Sequence, residues 1–243
     1  MDTQLRVSNW AVALLAVGVA LGGWFVGRGF VQGRTADSYV TVKGVAEREV
    51  SADLALWPIH FAATDDELNK AQAGIRASRE KIMAFLTGHG IDAASVKVHR
   101  FSVTDQYANA YRSGPVQSRF IIQQALIVRS TKPELIEEVC QDIGALVDAG
   151  VVLSDEGSMN GGPTYLFTRL SDHKPAMIAE ATANARKAAE QFSADAGGRP
   201  GAIRRASQGV FVILPRDQAP GIEEQGQREK TVRVVTTIDY YLE

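Results

Sequence analysis

Four histidines, one cysteine and one serine in a glycine-rich loop are the residues of this 243-residue chain best suited to carry chemistry. His60, His89, His99 and His173 could bind a metal or move a proton. An HExxH helix would place two histidines on one face as metal ligands, and no pair here has that spacing. Cys140 is the single cysteine, so it forms neither an intramolecular disulfide nor a thiolate metal site. Ser158 lies in "GSMNGG", which has the glycines of a phosphate loop but not the lysine and helix start that follow one. No G-x-S-x-G elbow presents a nucleophile. Asp65, Asp66 and Glu67 cluster at a helix start, where the helix dipole favours acids without any metal. The expectation is therefore a protein that is not an enzyme, with no catalytic, cofactor-binding or metal residues. A polar pocket made by folding, with His60, His99 and Arg100 in its lining, keeps a small-ligand or metal binder open. A hydrolase built on Ser158 is a third reading.

The net charge is −2, and it becomes −4 without residues 1–34, which hold Arg6, Arg28, Arg34 and Asp2. A weakly acidic domain argues against a nucleic-acid binder, which should carry a basic face. Residues 1–34 form a first segment. "VSNWAVALLAVGVALGGWFVG", residues 7–27, carries no charge, and about 20 such residues cross a bilayer as a helix. Trp10 stands near one end, Trp24 and Phe25 near the other, as interfacial aromatics do. An uncleaved anchor is expected over a cleaved signal peptide, because Trp24 and Phe25 would be odd in a mature terminus. Gly18 and Gly22 have a spacing that lets helices approach, although small residues are common in membrane helices. Arg6 on one side and Arg28 and Arg34 on the other leave the orientation open.

Residues 35–243 read as alternating strands and helices. Strands are expected at 39–49 and 53–63. A capping box, Thr64 to Glu67, then predicts a helix with the stripe Leu68, Ala71, Ile75, Ser78, Ile82 and Phe85. Two strands, 95–107 and 117–130, flank a long hairpin tip containing Tyr107 and Tyr111. Val96 and Val98 are out of phase with Phe101 and Val103, which predicts a bulge near His99 and Arg100. Thr131 and Glu134 form a second capping box, and Cys140 falls on the apolar side of that helix. A later helix carries the stripe Ile178, Ala181, Ala185, Ala188 and Phe192. Strands are expected at 202–214 and 231–242, the last alternating cleanly. Strand, helix and paired strands thus occur twice. The fold class expected is α+β: two similar β-α-β-β units, about 39–130 and 131–243, with mainly antiparallel sheets and helices on one face.

The segment "YVTVKGVAEREVSADLALWPIHF" resembles the opening of the SIMPL-domain family. That family begins with a V-x-V-x-G strand and a Pro-Asp before the next strand. Val40, Val42, Gly44 and Asp53 match, and Ala52 stands where proline is usual. The Ala-rich helix "AEATANARKAAEQFSADAGG", "AIRRASQG" and the closing "IDYYLE" agree in order. The resemblance implies an exported bacterial protein with its N-terminus inside and its domain in the periplasm, anchored singly in the inner membrane. It further implies relatives that form homo-oligomeric rings or channel-like particles, and others linked to oxidative or envelope stress. It transfers no catalytic residue.

The leading expectation is a membrane-anchored envelope protein that assembles with itself. Its partners are further copies of the chain and, through residues 7–27, the lipid bilayer; no cofactor is expected. Trp57, Pro58, Tyr107 and Tyr111 are the expected interface residues. Pro58 interrupts a strand ladder, as proline does at sheet edges, and tyrosines are favoured at interfaces. Gly44 is expected to mark a bulge or a close backbone approach. The alternative is a periplasmic small-ligand or metal binding protein in oxidative-stress defence.

Overall fold

The computed structural model describes residues 9–35, 38–108, 117–154 and 162–243. Helix α1 (Asn9–Thr35) opens it. The large side chains described in α1, among them Trp10, Leu14, Trp24 and Phe25, are all exposed. Over its described side chains, Trp10 and residues 14–29, no helix is long and apolar enough to cross a membrane. A side chain at Gly18 or Gly22 would meet nothing within 4 Å.

The fold is α+β, with antiparallel pairing in both of its sheets. The chain divides into two compact units, but not into successive halves. One holds Met1–Ala46, Ile178–Val210 and Val234–Glu243; the other holds Glu47–Met177 and Phe211–Arg233. The expected cut near residue 130 is corrected because β1 (Tyr39–Ser51) lies beside the last strand, β9 (Glu229–Leu242), rather than beside its sequence neighbours.

In the first unit the strand order is β1-β9-β7, with β7 (Pro200–Gln208) antiparallel to β9. Helix α5 (Leu170–Asp195) buries a stripe of small residues, Ala181, Ala185, Ala189 and Ser193. Val42, Ala185, Ala189, Ile238 and Tyr240 form this core. The small stripe lets helix and strand come unusually close. A Cβ added to Gly44 would run into the Ala181 carbonyl oxygen and lie 2.5 Å from the Ala185 amide nitrogen. Gly44 is thus the close approach, and the V-x-V-x-G pattern is a packing motif. Phe192, expected in the stripe, is exposed. The buried face rotates onto Ala189 and Ser193 instead.

The second unit holds a five-stranded sheet. Its order is β3-β4-β2-β5, from β3 (Val96–Asp105), β4 (Phe120–Ser130), β2 (Leu54–Asp65) and β5 (Val152–Leu153). Strand β6 (Thr164–Leu166) also pairs with β2. The opening strand expected for a second unit, β6, thus joins the same five-stranded sheet as β2. Helices α2 (Leu68–Gly88), α3 (Pro133–Gln141) and α4 (Gly144–Asp148) cover one sheet face. Their Ile75, Ile82, Leu86, Ile136, Val139 and Leu146 pack on Trp57, Ile59, Phe61, Ile122 and Leu126. Strand β8 (Val212–Pro215) pairs antiparallel with the first residues of β9.

Neither expected capping box forms. The β2–β4 ladder runs on to the pair Asp65–Phe120, which keeps Thr64 extended. Asp65 instead accepts the Glu67 amide at 2.9 Å, and Asp66 accepts the Arg119 amide at 3.0 Å. Helix α3 starts on Pro133, whose missing N–H costs nothing in a first turn.

Candidate functional site

Strand β3 is the edge of its sheet. Its register alternates, so Val98, Phe101 and Val103 share the face that the helices cover on β2 and β4. Among the described residues β3 lacks that cover: Val98 is 53%, Phe101 52% and Val103 48% exposed. Large apolar side chains side by side at half exposure form an uncovered apolar patch. Tyr107, just beyond the strand, is also exposed. Arg119 secures the base of this hairpin. It pairs with Asp105 at 2.9 Å and lies over the rings of Tyr107 and Phe120, at 5.4 and 4.8 Å. Its hydrogen bond, with that of the Tyr107 amide, holds the Asp105 carboxyl below the usual range.

The expected interface residues separate. Trp57 is 1% exposed and belongs to the core, so its side chain is unavailable to a partner. Pro58 sits inside the sheet, paired with Ile127 of β4 on one side. On its other side β6 pairs with residues 54–56 and β5 with 61 and 62. The strand tolerates proline because this position falls between the two ladders. Tyr107 is on the exposed hairpin, and Tyr111 lies outside the described residues. Ser158 also lies outside them. Val98, Phe101 and Val103 escaped the sequence reading as a surface, because Val98 is out of phase with the other two until the bulge brings them to one face.

The other sheet face carries a polar dent. Arg100, Ala125 and His60 form one row across β3, β4 and β2. They line a pocket of about 100 Å³ together with Phe61, Gln123, Gln124 and Ser154. The register shift between Val98 and Arg100 is what aims Arg100 to this face. His99, at the bulge, does not line the pocket.

A third polar cluster surrounds the start of β9. Arg228 pairs with Glu137 at 2.9 Å and Glu229 at 3.0 Å, and Ser51 donates to Glu229 at 2.7 Å. Lys230 is fully buried. It donates to the Glu224 carbonyl at 2.6 Å and pairs with the Glu224 carboxylate at 2.5 Å. Each cation here has an acid beside it, which is the arrangement of a structural tie. Asp53 ties the segment before α5 in the same way. It accepts the Thr168 amide and hydroxyl, both at 2.6 Å. Burial pushes its carboxyl up, but these hydrogen bonds and Arg169 outweigh burial and leave it lowered.

Cys140 is half-buried, and burial pushes its thiol up, away from thiolate chemistry. Burial, reinforced by Glu137, lifts the Tyr165 hydroxyl to about 12. Among the described residues, no three His, Cys, Asp or Glu gather in a way that could hold a metal ion.

The family model SIMPL, described as "Protein of unknown function (DUF541)", matches residues 40–240. The chain belongs to the SIMPL family. Its matched span runs from the second residue of β1 into the chain's final strand, β9, ending at Tyr240. No curated protein matches this SIMPL chain. Solved structures with weak likeness include the regulatory subunit of aspartate kinase from Thermus flavus. It is 15% identical, with 82% of this chain and 89% of that one covered and a TM-score of 0.17. A hydrolase from Listeria innocua is 12% identical, with coverage of 81% and 91% and a TM-score of 0.19. An uncharacterized conserved protein from Listeria innocua is 14% identical, with coverage of 77% and 90% and a TM-score of 0.17. Scores this low carry no argument about the fold or activity of this SIMPL protein.

Proposed function

We propose that this SIMPL protein is a non-enzymatic, membrane-anchored envelope protein that assembles with itself through the β3 flank of its second unit. The observation that carries the reading is the uncovered apolar face of an edge strand, formed by Val98, Phe101 and Val103. A second copy laid against that face supplies the cover that α2 gives the inner strands. The bulge at His99 and the charge of Lys97 discourage indefinite strand addition, so the contact is through side chains. Residues 7–27 are the anchor: 21 uncharged residues, with Trp10, Trp24 and Phe25 at the interfaces. The family resemblance supports a periplasmic domain, an inner-membrane anchor and a role in stress protection.

Light scattering on the detergent-solubilised full chain tests the reading. The expected result is a discrete assembly of several copies at micromolar concentration. Phe101→Ser is expected to shift it to monomer while the circular dichroism spectrum is retained. A wild-type monomer, or an assembly indifferent to Phe101→Ser, overturns the proposed surface.

A further inference from the structure

We propose that the dent over Ala125 binds a small oxyanion, of the phosphate class. This goes beyond self-association and does not depend on it. Ala125 is the shortest side chain in a row that begins with Arg100 and ends with His60, so the row sags at its centre. Gln123 and Ser154 also line the hollow. The wall carries one cation, the Arg100 guanidinium with its fork of N–H donors, beside the Gln123 amide, the Ser154 hydroxyl and the His60 ring. Among the described residues, no carboxylate lines it. Arg100 makes no ion pair among the described residues, whereas Arg119, Arg216 and Arg228 each pair with an acid at 3.0 Å or less.

The bulge is the second observation. In an unbulged strand Arg100, two residues after Val98, would share the helix-covered face with Val98, and Phe101 would leave it. The irregularity therefore delivers this guanidinium into a donor-lined hollow, which is how bulges near binding sites re-aim side chains. Guanidinium forks match the geometry of phosphate oxygens.

Calorimetric titration of the full-length protein in neutral detergent tests this. The probes are inorganic phosphate and, separately, glycerol phosphate as a soluble headgroup. Saturable binding of inorganic phosphate assigns the site to free oxyanions; saturation by the ester alone assigns it to phosphomonoesters. Arg100 lies on an exposed edge strand, so Arg100→Gln is expected to fold and to weaken binding at least about tenfold. Lys97→Gln removes a charge from the same strand and face without touching the hollow. It is expected to change affinity by less than about twofold. No saturation with either probe up to about 10 mM, or an equal loss in both variants, overturns the proposal.

Discussion

Gly44→Ala is the sharpest perturbation this fold offers. The added methyl collides with the Ala181 carbonyl oxygen, and it lies 2.5 Å from the Ala185 nitrogen and 2.8 Å from the Ala185 Cβ. Two of those three atoms are backbone, so no rotamer change relieves the contact. Either α5 backs away from β1 or the strand bends. Overpacking a tight core costs about 1–3 kcal/mol, and a collision with backbone belongs at the upper end, about 3 kcal/mol. For a chain of this size each kcal/mol moves the midpoint by about 2–4 °C, so a fall of about 6–12 °C is expected. Differential scanning calorimetry on the solubilised protein reads it. Ala185→Gly, which removes only the Cβ, is not expected to rescue. Gly22→Ala in α1, where nothing lies within 4 Å, provides the contrast and is expected to leave the midpoint unchanged. A Gly44→Ala midpoint within a degree of wild type, or rescue by Ala185→Gly, refutes the close-approach account of the family glycine.

Three further outcomes are expected. Asp53 has a lowered carboxyl pKa, so its contribution to stability is complete above the ordinary value of 3.8 and is lost as pH falls below it. Denaturation midpoints measured from pH 6 downward should therefore show a smaller acid loss in Asp53→Asn than in wild type. Glu224→Gln strands the fully buried Lys230 ammonium and should cost about 3 kcal/mol by urea denaturation. Lys230→Met should cost less, because the Glu224 side chain is partly exposed and can hydrate. Among the described residues the buried Thr236 hydroxyl has no hydrogen-bond partner, so Thr236→Val should add about 1 kcal/mol of stability and raise the thermal midpoint.

Periodicity made much of this legible. The stripe Ala71, Ile75, Ser78 and Ile82 is buried as its spacing requires, and β9 alternates from Val232 to Tyr240. The phase break at His99 was visible because a bulge shifts every later side chain by one. What stayed hidden was non-local. Pro58 suggests an outer edge when β2 is read alone. Only the pairing of β5 and β6 to different stretches of β2 reveals a gap inside the sheet. The same applies to Trp57, whose burial depends on α2 and α3 arriving from elsewhere in the chain. The first capping box misled because a strand ladder outlasted its local signal at Asp65, and the second because the helix starts on Pro133. The hollow at Ala125 was half legible. His60 and Arg100 carry the right chemistry for its lining, but the alanine between them gains meaning only from cross-strand register.

The position of β9 has a consequence for the order in which the protein is made. Strand β9 leaves the ribosome after every other strand of its sheet, yet it is the middle one, flanked by β1 and β7. Strand β1 emerges early, and its partner follows about 190 residues later. Until then the apolar sides of β1 and α5 lack the surface that Ile238 and Tyr240 provide. Growth of the chain thus leaves an open seam, closed by a single late step. A nascent chain stalled before residue 229 should carry this seam unsealed, a ready target for chaperones and proteases.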